Sequence, residues 1–455
     1  MHSKLINKII VIGGNAAGAA AAAKAKRCSP ETEVLMIEAR EYISSGTCEL
    51  PYVISGEISN YKDLMLFNAE TFEKEKRVKV LISHLVEKID SLKKTIQVKN
   101  LKSHQICEHE YSKLILCTGS NVRRIPGLPN CLSNIFTLKT IGDLVKIRNY
   151  IQQNEIRNIL IIGAGYIGVE SADAFKSLGY NVSILEKQNL PMSDLEDETR
   201  CLILDILKQN GIEFINDATQ TRYNHDEHKF LSITIEGRRL EYDLVLLATG
   251  FEPNNTLAIS TKLKIGKSDA ISVDRKLKTS DSNIYAAGDC IEIINRITGK
   301  PDYIPLASIA HQCGHVAGEN AAGGNKVVRP FVKNIAVKIF NKSLTFVGAS
   351  SLEASAYGFQ IGTVKAMTSN LVKVMPKSDQ VFGKIIYDKS SRQILGANFL
   401  GNTEVVGYGN IISTMINNQI KVDKLAQMDF NYTPPLSPFI NLLSILGRKI
   451  ERDKS

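Results

Sequence analysis

Two glycine turns, each lying between an apolar strand and a helix, constrain this chain more than any other feature. The first follows Ile9-Ile10-Val11-Ile12 and reads Gly13-Gly14-Asn15-Ala16-Ala17-Gly18. It opens an alanine-rich helix to about Arg27, and the next strand, 33–37, ends at Glu38. The second follows a strand over 158–162 and reads Gly163-Ala164-Gly165-Tyr166-Ile167-Gly168. A helix to about Leu178 and a strand over 181–185 lead to Glu186. Glycines let the backbone turn tightly and approach a pyrophosphate. Amides at the helix N-terminus then hold the anion. An acid at the next strand end accepts hydrogen bonds from a ribose. Those acids fall 25 residues after Gly13 and 23 after Gly163. The second fingerprint is complete, whereas the first carries Asn15 where the middle glycine is expected.

Three further segments end in small residues. Leu114-Ile115-Leu116-Cys117-Thr118-Gly119 and Leu244-Val245-Leu246-Leu247-Ala248-Thr249-Gly250 are apolar strands ending in Thr-Gly, and Ile284-Tyr285-Ala286-Ala287-Gly288-Asp289 ends in Gly-Asp. Such endings suit a parallel sheet that receives ligands at its carboxyl edge. After about Arg329 the pattern changes to short strands at 335–340, 344–348, 361–367, 383–387 and 394–400, then helices at 404–418 and 438–450. This predicts a separate α+β domain with no nucleotide motif.

At 455 residues the chain has room for about three domains of roughly 150 residues each. Its 56 basic and 47 acidic residues leave a net charge of +9 without a long basic run. That balance favours anionic small molecules over nucleic acid. No apolar run has the ~18 residues of a membrane helix, and no cleavable signal pattern precedes the first strand. Eight cysteines without a C-x-x-C argue against a disulfide scaffold or a metal site and for a reducing, cytoplasmic setting.

Cys48 stands alone in Ser44-Ser45-Gly46-Thr47-Cys48-Glu49-Leu50-Pro51-Tyr52, just after the first nucleotide unit. The neighbouring cysteines in sequence are Cys28 and Cys107, and the position five after Cys48 is Val53. A local closing disulfide is therefore not expected, and the partner for Cys48 is a substrate sulfur or oxygen. The thiolate is the nucleophile. A helix start after Cys48 is expected to depress its pKa, while a carboxylate at Glu49 acts the other way unless it points aside. The other seven cysteines are read as packing or surface residues.

Taken together, these motifs resemble the FAD-dependent pyridine nucleotide-disulfide oxidoreductases. The single-cysteine branch is nearest: coenzyme A disulfide reductases and related NADH oxidases and persulfide reductases. The resemblance covers nearly the whole chain. It implies an α/β architecture of two Rossmann-like domains, the FAD domain interrupted by the NAD domain, plus a C-terminal α+β dimerisation domain. The implied boundaries are 1–120 and 253–328 for FAD, 121–252 for NAD(P), and 329–455 for the dimerising part. Gly13, Ala16, Ala17, Gly18, Glu38, Ala39, Ser44, Thr118, Gly119, Gly288, Asp289 and Ala307 would surround FAD. Gly163, Gly165, Tyr166, Ile167, Gly168, Glu186 and Gly250 would take NADH or NADPH, with Tyr166 over the nicotinamide side. Glu186 favours NADH, because a carboxylate repels a 2′-phosphate. Lys24, Arg27, Ser44, Thr47, Lys76 and His311 would meet the substrate. Tyr432, in Asn431-Tyr432-Thr433-Pro434-Pro435, would reach the active site of the partner in a homodimer.

The implied activity is NAD(P)H-dependent reduction of coenzyme A disulfide, or of a related small disulfide or persulfide, through Cys48. Val53 excludes the two-cysteine chemistry of glutathione-reductase-like members. Ala16 stands where NADH peroxidases and water-forming oxidases place a histidine, and Leu50-Pro51-Tyr52 matches the coenzyme A branch. Departures are Glu49 after the cysteine, Thr47 before it, and Val374-Met375-Pro376 near a second tyrosine of that branch. An oxidase or peroxidase cycling Cys48 through sulfenic acid is the nearest alternative. A reductase of a small electron-transfer protein and a non-catalytic flavin sensor are the more distant ones.

Overall fold

The computed structural model describes residues 7–129, 131–216 and 221–452. Three five-stranded sheets organise it. The first is parallel, in the order Ile284–Ala286, Lys113–Leu116, Lys8–Ile12, Glu33–Glu38, Lys79–Ile82. The second is parallel too: Glu213–Ile215, Asn181–Leu185, Asn158–Ile162, Leu244–Leu247, Ile135–Thr137. The chain leaves the first sheet after Leu116 and rejoins it at Ile284, so the first nucleotide unit is split around the second. The strands are near-continuous apolar runs because helices cover both faces of such sheets; Ile10, Val11, Leu114 and Ile115 are fully buried, as are Ile161 and Leu246.

The two Thr-Gly endings mark the crossing points. Ser120–Val122 pairs antiparallel with Phe251–Pro253, which sets Thr118-Gly119 and Thr249-Gly250 at the junction of the units. Thr118 Oγ1 donates to Asn254 O (2.6 Å), and Thr249 Oγ1 donates to Arg123 O.

The first glycine-turn helix, Ala16–Cys28, packs along helix Ala307–Ala321. Its alanines permit a very close approach: a Cβ on Gly314 would lie 2.2 Å from Ala17 O, and one on Gly318 2.2 Å from Ala21 O.

The C-terminal sheet is antiparallel, in the order Asn334–Ile339, Lys342–Gly348, Ile394–Gly401, Gln380–Asp388, Ile361–Ser369, with helices Glu404–Asn417 and Leu442–Arg452. The expected helix over 438–450 begins later, because Asn441 Oδ1 accepts from Leu443 N (2.9 Å) and starts the helix there. Lys384, on the C-terminal sheet, pairs with Glu196 (2.6 Å) and Glu198 (2.7 Å) of the second unit, tying the two bodies together. Two three-stranded antiparallel ribbons, 84–110 and 222–241, stand outside the strands expected from sequence. No helix among the described residues is long and apolar enough to cross a membrane.

Candidate active site

The first turn is built by contact. Gly13 has φ +106°, and a Cβ there would lie 2.1 Å from Cys117 O; a Cβ on Gly18 would lie 1.8 Å from Gly13 O. Asn15 has a use that a glycine would lack: its Oδ1 accepts from Ser45 N (3.0 Å), while Ser44 N donates to Gly14 O (2.9 Å). The segment carrying Ser44, Thr47 and Cys48 is thereby pinned to the nucleotide turn. Ser44 takes φ +47° to make this link.

Glu38 is buried and braces the same turn, accepting from Gly14 N (2.7 Å) and Arg40 N (2.9 Å). Glu186 repeats the arrangement, accepting from Ala164 N (2.8 Å), Lys187 N (2.9 Å) and Gln188 N (3.2 Å).

Three observations fit dinucleotides. Helices Ala16–Cys28, Tyr166–Ser177 and Ala307–Ala321 all begin without a side-chain cap, leaving first-turn amides for an anion. Nothing lies within 4 Å of a Cβ placed on Gly165, so the second turn is an open cradle. The Tyr166 hydroxyl is buried without a hydrogen-bond partner among protein atoms, an arrangement that suits a side chain covering a ligand pocket.

Asp289 lies just beyond strand Ile284–Ala286. Burial pushes its carboxyl up, against the opposing pull of Lys139 and of Ser120, whose Oγ is 3.3 Å away. Lys139 Nζ lies 2.7 Å from Ser120 Oγ and 3.8 Å from the Phe251 ring centroid. Burial pulls the Lys139 ammonium down, and Asp289 pushes it back. Lys139 and Ser120 were not among the residues singled out from sequence; the structure adds both to the ring around Asp289.

Cys48 lies two residues before the five-residue helix Leu50–Ile54. Its surface is exposed, yet enough protein surrounds the sulfur that burial leads in raising its pKa. Glu49, Glu170 and Asp289 add to the rise, and Lys139 opposes it. The expected depression by the helix start is therefore overturned. The helix is a single turn with Glu49 at its N-cap, so it offers little against burial and the carboxylates that follow it in raising the thiol. Glu49 folds back over Gly46, whose Cβ position would lie 2.6 Å from its carboxylate oxygen. Val53 is buried in the core, so the position five after Cys48 is filled by packing.

Glu170 also escaped sequence reading, and Tyr52 was read there only as part of the Leu50-Pro51-Tyr52 motif. Glu170 lies one helical turn beyond Tyr166, and Tyr52 OH donates to its Oε1 (3.1 Å). Burial pushes the Glu170 carboxyl up to about 7. The signal available in sequence was an acid on a helix whose neighbours Val169 and Ala172 are core residues.

The candidate substrate residues only partly converge. Lys24 and Arg27 on the first helix lie near His315 on helix Ala307–Ala321, whose imidazole is 4.7 Å from that of His311, and Lys24 Nζ is 2.9 Å from Glu319. Burial pulls His315 down, followed by His311, Arg27, Lys24 and Lys326. Lys76 is paired instead with Glu75 (3.4 Å) and stacked 4.7 Å over Phe67. Tyr432 is 48% exposed and meets Phe439 edge-on, with ring centroids 5.3 Å apart; Leu436 and Phe439 beside it are exposed as well. Among the described residues, no group of three or more His, Cys, Asp or Glu side chains is arranged to hold a metal ion.

A family model described as pyridine nucleotide-disulphide oxidoreductase matches residues 7–314, and its dimerisation domain matches residues 335–442. The NAD(P)H coenzyme A polysulfide/persulfide reductase of Pyrococcus horikoshii is 29% identical over 455 residues, covering 99% of this chain and 100% of that protein. The coenzyme A disulfide reductase of Staphylococcus aureus is 28% identical over 443 residues, covering 97% and 99%. The solved structure of an NAD-dependent persulfide reductase from A. fulgidus superposes with a TM-score of 0.93 at 29% identity, covering 98% of this chain and 83% of that one.

Proposed function

We propose, from the premise that this chain belongs to the pyridine nucleotide-disulphide oxidoreductases, that it reduces coenzyme A disulfide, or a closely related small disulfide or persulfide, through Cys48. It is an FAD-dependent NAD(P)H oxidoreductase with a dimerisation domain. The observation that carries the proposal is the pinning of a lone thiol to the first nucleotide turn by Asn15 and Ser44, with buried Val53 in place of a second cysteine. The names of the P. horikoshii and S. aureus relatives support the coenzyme A class.

Gly13, Ala16, Ala17, Gly18, Glu38, Ala39, Ser44, Thr118, Gly119, Gly288, Asp289 and Ala307 would hold FAD. Gly163, Gly165, Tyr166, Ile167, Gly168, Glu186 and Gly250 would hold the nicotinamide nucleotide. Bound FAD supplies two-electron exchange between the nicotinamide and the thiol. Cys48 thiolate attacks one sulfur of the substrate; a Cys48–substrate disulfide forms, the substrate S–S bond breaks, and one thiolate leaves. Over a full turnover one disulfide, one NADH and one proton give two thiols and NAD+. Arg27 and His311 would offer hydrogen-bond donors to an anionic substrate, joined by Lys24 on release from Glu319, with Thr47 in the segment beside Cys48; Lys76, paired with Glu75, drops out of this reading. Tyr432 of the second subunit would protonate the departing thiolate, which fits its exposure and that of Leu436 and Phe439 in one chain. A reducing, cytoplasmic setting follows from the cysteine pattern of the sequence.

NADH consumption by the holoenzyme, measured separately with coenzyme A disulfide, hydrogen peroxide and oxygen, tests this. The disulfide is expected to have the highest kcat/KM. Faster turnover with oxygen or peroxide would replace the proposal with the sulfenic-acid cycle.

Coenzyme choice gives a second test. Replacing Glu186 by Gln removes the charge facing a 2′-phosphate and keeps one carbonyl for Ala164 N, while the second oxygen's bonds from Lys187 N and Gln188 N are lost. The NADPH-to-NADH ratio of kcat/KM is expected to rise roughly tenfold, the size of one charge effect of about 1.4 kcal/mol. An unchanged ratio would remove Glu186 from coenzyme selection.

A further inference from the structure

Lys139 sits where the two nucleotide units meet. It follows strand Ile135–Thr137, the edge of the second parallel sheet. Its backbone is fixed there: Lys139 N and Thr140 N both donate to Asp143 Oδ2 (3.0 Å each), and Thr140 Oγ1 accepts from Asp143 N (3.1 Å). The side chain leaves that sheet for the two crossing strands. Lys139 Nζ donates to Ser120 Oγ (2.7 Å) on the strand that leaves the first unit. It also lies 3.8 Å from the ring centroid of Phe251, on the strand that returns to it. Ser120 is buried, and its Oγ lies 3.3 Å from Oδ2 of Asp289, just beyond strand Ile284–Ala286 of the first sheet. One ammonium from the second unit therefore reaches both crossing strands and, through a single hydroxyl, the acid of the first unit.

The hydrogen bonds can run only one way. An ammonium donates and never accepts. Ser120 Oγ must accept from Lys139, so its one proton goes to Asp289. Asp289 Oδ2 is thereby held, while Oδ1 accepts no hydrogen bond among the described residues. Lys139 Nζ forms no ion pair among the described residues; its contacts are a hydroxyl and an aromatic face. A half-buried cation with no carboxylate in contact, directed at an acid with one open oxygen, is organised around a bound group rather than as a salt bridge.

We propose that Lys139 is a positioning residue for the flavin: through Ser120 it fixes Asp289 with Oδ1 left for the ligand, and it holds one positive charge at the FAD site. The second nucleotide unit thus contributes to both the retention and the reduction potential of a flavin bound in the first. The inference rests on the reading of Asp289 as an FAD ligand, and it gives Lys139 and Ser120 a role that the resemblance did not. Its sign is definite. Reduction adds negative charge to the flavin, so a nearby cation favours the reduced form. Loss of the ammonium also leaves the Asp289 charge uncompensated, which acts in the same direction.

The test uses purified holoenzyme and no disulfide substrate. FAD release is followed by the fluorescence of free flavin after dilution, and the flavin midpoint potential by equilibration with a reference dye. Lys139→Met is expected to release FAD roughly tenfold faster. Its potential should become more negative by about 30 mV, which is tenfold in a two-electron equilibrium. Ser120→Ala breaks the relay but keeps the ammonium; it should release FAD roughly fivefold faster and keep a potential nearer the wild type than that of Lys139→Met. A role in packing alone would lower the melting temperature and leave the potential in place. An unchanged potential in Lys139→Met, or wild-type FAD release in Ser120→Ala, overturns the inference. If Lys139→Met does not accumulate as folded holoenzyme, Ser120→Ala decides alone. Asp289→Asn separates the inference from the reading beneath it. Faster FAD release from Asp289→Asn with silent Lys139 and Ser120 variants strikes the inference only, whereas wild-type release from all three removes Asp289 from the flavin site as well. Neither readout involves Cys48, so the proposed disulfide chemistry stands or falls separately.

Discussion

Replacing Cys48 by Ser removes reduction of coenzyme A disulfide by roughly a thousandfold or more, since no other group in the site offers an equivalent nucleophile. The same variant keeps NADH oxidation by an artificial one-electron acceptor within about threefold of wild type, because hydride removal from the nicotinamide needs no thiol. The contrast follows from the geometry. Cys48 is exposed, while Cys290 and Cys313 are buried. Burial pushes the Cys313 thiol up to about 12, too high for useful thiolate at neutral pH. Cys28, Cys107, Cys131 and Cys201 are exposed but lie outside the segment pinned by Asn15 and Ser44. Steady-state rates with the two acceptors check the expectation. A Cys48→Ser enzyme that still reduced the disulfide at an appreciable fraction of the wild-type rate would move the chemistry elsewhere.

Gly314→Val is expected to be the most damaging single change outside the thiol. The first Cβ atom would lie 2.2 Å from Ala17 O, backbone that cannot give way without moving the first glycine turn. Overpacking of this kind costs about 3 kcal/mol. It would also displace the helix that carries His311 and His315, and weaken FAD retention. Gly407→Ala is the control. It lies in helix Glu404–Asn417, its Cβ position has nothing within 4 Å, and alanine there should stabilise by up to about 1 kcal/mol. Thermal unfolding and flavin content per chain measure both. A Gly314→Val protein with wild-type melting temperature and full flavin would refute the helix contact.

The strand–turn–helix units could be read before the structure because their chemistry is local. Gly13 and Gly163 both adopt positive φ, and Glu38 and Glu186 both fold back onto the turn amides. The split of the first unit around the second could not be read from periodicity, since Ile284–Ala286 looks like any short apolar strand; family resemblance implied it. The ribbons at 84–110 and 222–241 were missed because exposed antiparallel strands carry mixed polar residues and no strong apolar alternation.

Site residues were missed where the partner is distant in sequence. Tyr52 and Glu170 are 118 residues apart, and Ser120 and Asp289 are 169 apart. Asn15 read as a flaw in the fingerprint; it proved to be the clamp that fixes Ser45. The balance at Cys48 was open in the sequence for the same reason. The helix start and Glu49 were visible, but Glu170 and Asp289 arrive from elsewhere in the chain.

The central claim, that Cys48 exchanges electrons with the substrate as a covalent intermediate, is tested most directly by peptide-resolved mass spectrometry. The holoenzyme is incubated with coenzyme A disulfide, quenched in acid and digested, before and after one equivalent of NADH. The account predicts a coenzyme A mixed disulfide on the Cys48 peptide, none on the other seven cysteine peptides, and its loss after NADH. An unmodified Cys48, or an adduct that survives NADH, would contradict it.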